Sequence, residues 1–139
     1  MIHYPVPLSE GFQIWGASVK DAAGVRNLAQ IVRTQGQNVV VVISAMGKTT
    51  NALEDLVRAY TRQQVTHIQS HFQSIYTYHN AILSDLTGDF SSVYQTFRQL
   101  ETYLAQEPAG TFDEIYDQIV SVGKFSLRKS LRLIWRKLD

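Results

Sequence analysis

Asn38-Val39-Val40-Val41-Val42-Ile43-Ser44-Ala45-Met46-Gly47-Lys48-Thr49-Thr50-Asn51-Ala52-Leu53 carries the two signals from which the fold is read. Its first half, 38–44, is a β-branched run with no polar alternation, the pattern of a parallel strand buried on both faces. Its second half turns small and hydroxylic, then helical, with Leu53, Leu56, Val57 and Tyr60 on one face. A strand ending this way aims the free amides of a helix N-terminus at an anion, and open α/β sheets bind ligands at the carboxyl ends of their strands. No second glycine precedes Lys48 at P-loop spacing. By shape alone, 44–51 is either an anion site or an ordinary strand-to-helix turn.

Upstream, Phe12 to Trp15 can form a short strand, and Asp21 can cap a helix with apolar positions Val25, Leu28, Ala29 and Val32, ended by Gly36. Strand, helix and strand at this spacing make a right-handed βαβ unit. Pro5 and Pro7 mark residues 1–10 as an irregular arm. Downstream the period is helical. Gln63 to Leu86 carries Ile68, Phe72, Ile75, Tyr76, His79, Ile82 and Leu83, and Thr87-Gly88-Asp89 breaks it. Helices are expected from Ser91 to Gln106 and from Phe112 to Val120, on either side of Pro108-Ala109-Gly110. The expected class is therefore α/β: a βαβ unit with two or three parallel strands, followed by a mainly helical second half.

With 139 residues, 45% hydrophobic and 18% charged, the composition is that of one small globular domain. There is no cysteine, so neither disulfides nor a thiolate metal site is available. The aliphatic run Val39 to Ile43 falls far short of the roughly 20 residues of a membrane span, and no signal peptide opens the chain. A cytoplasmic protein is expected. His67 and His71 stand at a zinc-compatible i, i+4 spacing, with His79 further along the same helix, but no Glu lies between them in the metalloprotease arrangement. They read as helix-surface histidines, and no metal site is expected. Phe72, Tyr76, Phe97 and Tyr103 read as core.

Residues 124–139 hold six of the 13 Lys/Arg and one of the 12 Asp/Glu, a net of +5 against −4 for 1–123. Leu127, Leu131, Ile134 and Leu138 form a stripe among these charges. Such a helix can bind an acidic surface, a partner groove or nucleic acid, or pack its leucines on the core and solvate its charges.

Read together, Gly16-Ala17-Ser18-Val19-Lys20-Asp21-Ala22, Val25-Arg26-Asn27-Leu28 and the stretch from Val39 to Leu53 strongly resemble the opening of aspartokinases. Tyr116-Asp117-Gln118-Ile119-Val120-Ser121-Val122-Gly123 resembles a later segment of that family, so the likeness covers about 16–123. It implies an amino-acid kinase fold, here truncated, and a reaction that moves the γ-phosphate of Mg-ATP onto the β-carboxylate of aspartate. By the same resemblance Thr50 contacts aspartate, Ser44 and Gly47 shape its pocket, and Gly16 and Ser18 border the phosphates. The domain then divides into 1–15, an arm and degenerate first strand; 16–62, the βαβ-type substrate loop; 63–123, helical; and 124–139, a basic amphipathic helix.

Two departures bear on activity. The family's first strand ends Lys-Phe-Gly-Gly, where Gln13-Ile14-Trp15-Gly16 stands here, and a glutamate follows the segment that here ends at Gly123, where Lys124 stands. One allowed coding of Glu10 to Trp15, read one nucleotide later, spells Lys-Val-Phe-Lys-Phe-Gly. One allowed coding of Gly123 to Leu131, with one G restored, spells Gly-Glu-Ile-Phe-Ser-Thr-Lys-Ile-Val. Flanks 1–15 and 124–139 translated out of frame are the resulting hypothesis. The chain is expected to be catalytically inactive alone, with no catalytic residue of its own and no cofactor beyond the family's ATP and Mg. Aspartate and ATP are partners by family only, without nucleic acid or membrane. Open strand edges lead to self-association, or to a mainly helical body. The alternative is a non-catalytic binding module or relic that pairs with itself or a partner, or that binds anionic surfaces through the basic C-terminal helix.

Overall fold

The computed structural model describes residues 10–14, 16–35, 39–43 and 45–137, with side chains placed for 18–34, 45–122, Phe125 and Lys129. The arm at 1–9, Trp15, Gly36, Ser44 and the side chains of the leucine stripe at 127–138 lie outside the described residues.

The fold class expected above is corrected. An α/β architecture on a βαβ unit requires a sheet that forms a layer of the core. Helix instead makes up 77% of the chain where side chains are described, and that part holds no strand. Among the described residues the strands are β1 (Glu10–Ile14) and β2 (Val39–Ile43), paired in parallel from Glu10↔Val39 to Ile14↔Ile43 with no third strand beside them. The physical reason is periodicity. Everything after the Gly47 turn repeats at the helical period, and those helices close a core on one another without a sheet between them.

Helix α1 (Ala22–Gln35) follows a single 3-10 turn at Gly16–Val19. Asp21 caps it as expected: its Oδ1 accepts from the Gly24 N–H at 2.8 Å. Val25, Leu28 and Ala29 are buried. Gly24 also permits a close approach, since a Cβ there would lie 2.3 Å from the Ser18 carbonyl oxygen. α2 (Thr49–Thr61) buries Leu53, Leu56, Val57 and Tyr60, the face read from the sequence. α3 (Val65–Ser84) buries Ile75, His79, Ile82 and Leu83 at i, i+4, i+7 and i+8. α4 (Ser91–Leu104) buries Val93, Thr96, Phe97 and Leu100.

α5 (Phe112–Lys137) is one continuous helix of 26 residues. It starts at a capping box: the Thr111 N–H donates to Glu114 Oε2 at 2.7 Å, and the Glu114 N–H donates back to Thr111 Oγ1 at 3.3 Å. It packs against α1, α2 and α4, while α2 also packs on α3. Ile115, Ile119 and Val120 face this core. Burying one such side chain contributes about 1.5–3 kcal/mol. Tyr60 is 2% exposed, and its hydroxyl reaches the carbonyls of Tyr103 and Gln106, each at 3.2 Å, at the end of α4. Phe97 is core as expected; Phe72, Tyr76 and Tyr103 are half-buried and packed against it.

No described helix is long and apolar enough to cross a membrane.

Candidate functional site: the Gly47 turn

After β2 the chain must reverse into α2 within a few residues. Gly47 makes this possible at φ +51°, where L side chains are strained. The Thr49 N–H bonds the Met46 carbonyl at 2.9 Å, and the Ala52 N–H bonds the Lys48 carbonyl at 3.2 Å. Lys48 stands at the N-cap without a side-chain cap bond. Among the described residues, the amides of Thr50 and Asn51 have no acceptor, so α2 opens with donors pointing outward. These donors and the helix dipole favour a negative charge at this end.

Thr49 and Thr50 are adjacent on α2, so their side chains diverge by about 100°. Thr50 is half-buried. Thr49 is 3% exposed, and its Oγ1 has no hydrogen-bond partner among the described residues. A threonine hydroxyl buried without a partner costs about 1–3 kcal/mol, and the sequence gives no signal for it. On the Thr49 side lies a cavity of about 540 Å³, lined among others by Lys20, Gly47, Lys48, Ser74 and Tyr78. Tyr78 comes from α3 and braces the site: its hydroxyl donates to the Lys20 carbonyl at 2.5 Å. Burial, and secondarily the nearby Asp21 charge, raise the Tyr78 pKa. The phenol is therefore neutral and able to donate at neutral pH.

The residues singled out by resemblance are distributed as follows. Gly47 lines the cavity and Thr50 lies in the first turn of α2, whereas Ser18 is exposed in the 3-10 turn that begins at Gly16 and is not among the described residues lining the cavity. Ser44 lies outside the described residues. Lys20, Ser74 and Tyr78 were not singled out from the sequence. Tyr78 and Ser74 reach the turn only because α3 packs on α2, a contact without a local sequence signature.

His67 and His71 are neighbours on the α3 surface, with rings 6.4 Å apart. His79 corrects the surface assignment: it is 2% exposed, its Nδ1 lies 2.8 Å from the Ile75 carbonyl, and its Nε2 has no partner among the described residues. Its burial beside Phe97 lowers its pKa, opposed in part by the Ile75 bond. No group of three His, Cys, Asp or Glu among the described residues could hold a metal ion. The described residues that line the cavity include two lysines and no carboxylate, a set that does not suit magnesium.

Comparison with solved structures bears on the fold. Over 93% of its length the chain superposes on E. coli aspartokinase III in complex with aspartate and ADP (R-state), with TM-score 0.78 and 22% identity. It superposes on the same enzyme in complex with lysine and aspartate (T-state) over 93% of its length, with TM-score 0.75 and 22% identity. The likeness is one of fold. The chain spans 29% of the length of those aspartokinase chains. No protein-family profile matches the sequence, and no curated protein does.

Proposed function

We propose that this chain is an aspartokinase-like catalytic-domain region that holds aspartate at the Gly47–Thr50 turn and does not, by itself, phosphorylate it. The observation that carries this is the turn: a positive-φ glycine launching α2 with open amides and a half-buried Thr50 at its start. It occurs in a fold shared with an aspartokinase solved with aspartate and ADP. A substrate carboxylate meets there both the helix dipole and a hydroxyl donor. By resemblance, Thr50 contacts the substrate, Ser44 and Gly47 shape its pocket, and Gly16 and Ser18 border the phosphates.

The absence of turnover follows from two residues. Phosphoryl transfer is catalysed by positioning and by electrostatic stabilisation of the transferring group. By resemblance, Gln13 stands where the family has its phosphate-neutralising lysine, and Lys124 where it has the substrate-holding glutamate. A missing cation and a reversed charge both act on the reacting centre. Among the described residues no third strand pairs with the outer edges of β1 and β2, through which the chain self-associates.

Calorimetric titration with aspartate, together with an assay for ATP-dependent aspartyl phosphate, tests this. Aspartate binds one-to-one, about tenfold more weakly in Thr50→Val, as for a lost hydrogen bond to a charged group. No aspartyl phosphate forms. Robust turnover would overturn the inactive reading, and absence of aspartate binding would overturn the substrate-loop reading.

A further inference from the structure

We infer that the contact between α3 and α4 is an acid-sensitive latch, in which protonation of the buried His79 ring frees α4 from α3 and opens the aromatic seam between them. The seam is built of rings. From α3, Phe72, Tyr76 and His79 gather on Phe97 of α4, with centroids 6.5, 5.5 and 5.3 Å from it. Beside them the Tyr94 hydroxyl donates to Asn80 Oδ1 at 2.9 Å. A cavity of about 450 Å³ runs along the same line, bordered by Phe72, Tyr76, Tyr94 and Phe97. The outer side of the seam is therefore already gapped, with Phe72 and Tyr76 half-buried, whereas His79 and Phe97 are each 2% exposed.

The imidazole sets the latch. Its Nδ1 lies 2.8 Å from the Ile75 carbonyl, which can only accept, so Nδ1 carries the proton of the neutral ring. Nε2 is then a lone pair, buried without a partner among the described residues. A proton added there creates an N–H without an acceptor and a charge in apolar surroundings, both costly until the ring reaches water. Burial accordingly holds the pKa below the ordinary 6.5, with the Ile75 bond opposing in part. Toward α2, α3 is held by the packing of Ile75 and Ala52 around the Gly47 turn and by the Tyr78 bond to the Lys20 carbonyl. Toward α4 it is held by the gapped rings, so that side yields.

No charged group among the described residues is turned to His79 to hold an imidazolium. On α2, Asp55 and Arg58 are exposed, and Glu54 accepts from the Tyr116 hydroxyl. On α4, Arg98 and Glu101 are exposed, and Lys129 of α5 donates to Ser92 and Thr96 there. Beside Tyr78, Lys20 is exposed and Asp21 accepts from Gly24. On α3 itself His71 is half-buried two turns away and His67 is exposed. The other titratable groups of the seam are the phenols of Tyr76, Tyr78 and Tyr94.

The test uses the absence of cysteine from the sequence. Gln73 and Arg98 border the seam cavity from opposite helices and are exposed, so Gln73→Cys with Arg98→Cys places a spin-label pair across it in the full chain. The distance between the labels is read from about pH 7 to about pH 5, with helicity followed by circular dichroism. A longer distance is expected to appear as pH falls below 6.5, reversibly and with helicity kept. Its share, while small, rises by up to about tenfold per pH unit. The response is expected to vanish in His79→Leu and to persist when His67→Gln and His71→Gln are combined. An unchanged distance, the same response in His79→Leu, or a response that comes only with loss of helicity would each overturn the latch. The His79 ring proton in the NMR spectrum of the parent chain gives a second readout that needs no change at position 79. It is expected to titrate together with the distance, and titration over a different pH range would equally overturn the latch.

Discussion

Tyr78 and Gly47 oppose each other so closely that a Cβ on Gly47 would lie 2.6 Å from the Tyr78 hydroxyl. The same hydroxyl donates to the Lys20 carbonyl, 58 residues away in sequence. One phenol therefore fixes the gap between α3, the turn and the segment that leads into α1.

Gly47→Ala is expected to destabilise the chain by about 1 kcal/mol or more, from the positive φ together with the clash. Tyr78→Phe alone costs about 1 kcal/mol, the net worth of its hydrogen bond. In combination the two cost less than their sum, because phenylalanine removes the atom that the new methyl meets. Urea unfolding of the four proteins measures this, and strict additivity would contradict the close approach.

His79 makes stability depend on pH. Burial holds its folded pKa below the ordinary 6.5, so the unfolded chain binds more protons below that value. Its contribution is fully present above 6.5 and is lost as pH falls through the folded value. Melting temperature should drop as pH is lowered from neutral, and the drop should be smaller in His79→Leu. Equal pH dependence in both proteins would remove His79 as its cause.

Gln63 ends α2 at φ +53°, where glycine is the usual residue. Its N–H reaches the Tyr60 carbonyl at 2.9 Å, and the Gln64 N–H reaches Ala59 at 3.0 Å. Gln63→Gly keeps both bonds and relieves the strain, so it should stabilise the chain by about 0.5–1 kcal/mol. Thermal unfolding checks the sign.

Lys129 is half-buried, and its Nζ donates to the Ser92 carbonyl at 3.2 Å and to Thr96 Oγ1 at 2.5 Å. This one tail cation joins α5 to α4. Lys129→Met keeps the stem and loses both bonds, with an expected cost of about 1 kcal/mol in chemical denaturation. No loss of stability would mean that the contact contributes nothing to the packing of α5 on α4.

The sequence by itself determined the helices. Val25, Leu28 and Ala29 on α1, Leu53 to Tyr60 on α2, and the breaks at Thr87-Gly88-Asp89 and Pro108-Ala109-Gly110 are local signals, set by period, capping and turn chemistry. The Gly47 turn was legible for the same reason, since a strand-to-helix reversal is written in consecutive residues. The capping box at Thr111 and Glu114 was equally present in the sequence and was not singled out.

Only the tertiary structure decided the rest. The β-branched run at Val39 to Ile43 suggested a sheet, yet whether a strand joins a layered sheet depends on neighbours it must find elsewhere, and here helices close the core. His79 looked like a surface residue until α4 brought Phe97 against it. Thr49 is buried without a hydrogen-bond partner among the described residues, and Tyr78 braces Lys20 because α3 folds back on α2. These are contacts between residues far apart in the chain, settled by which apolar stripes fit together, and no local period encodes that choice.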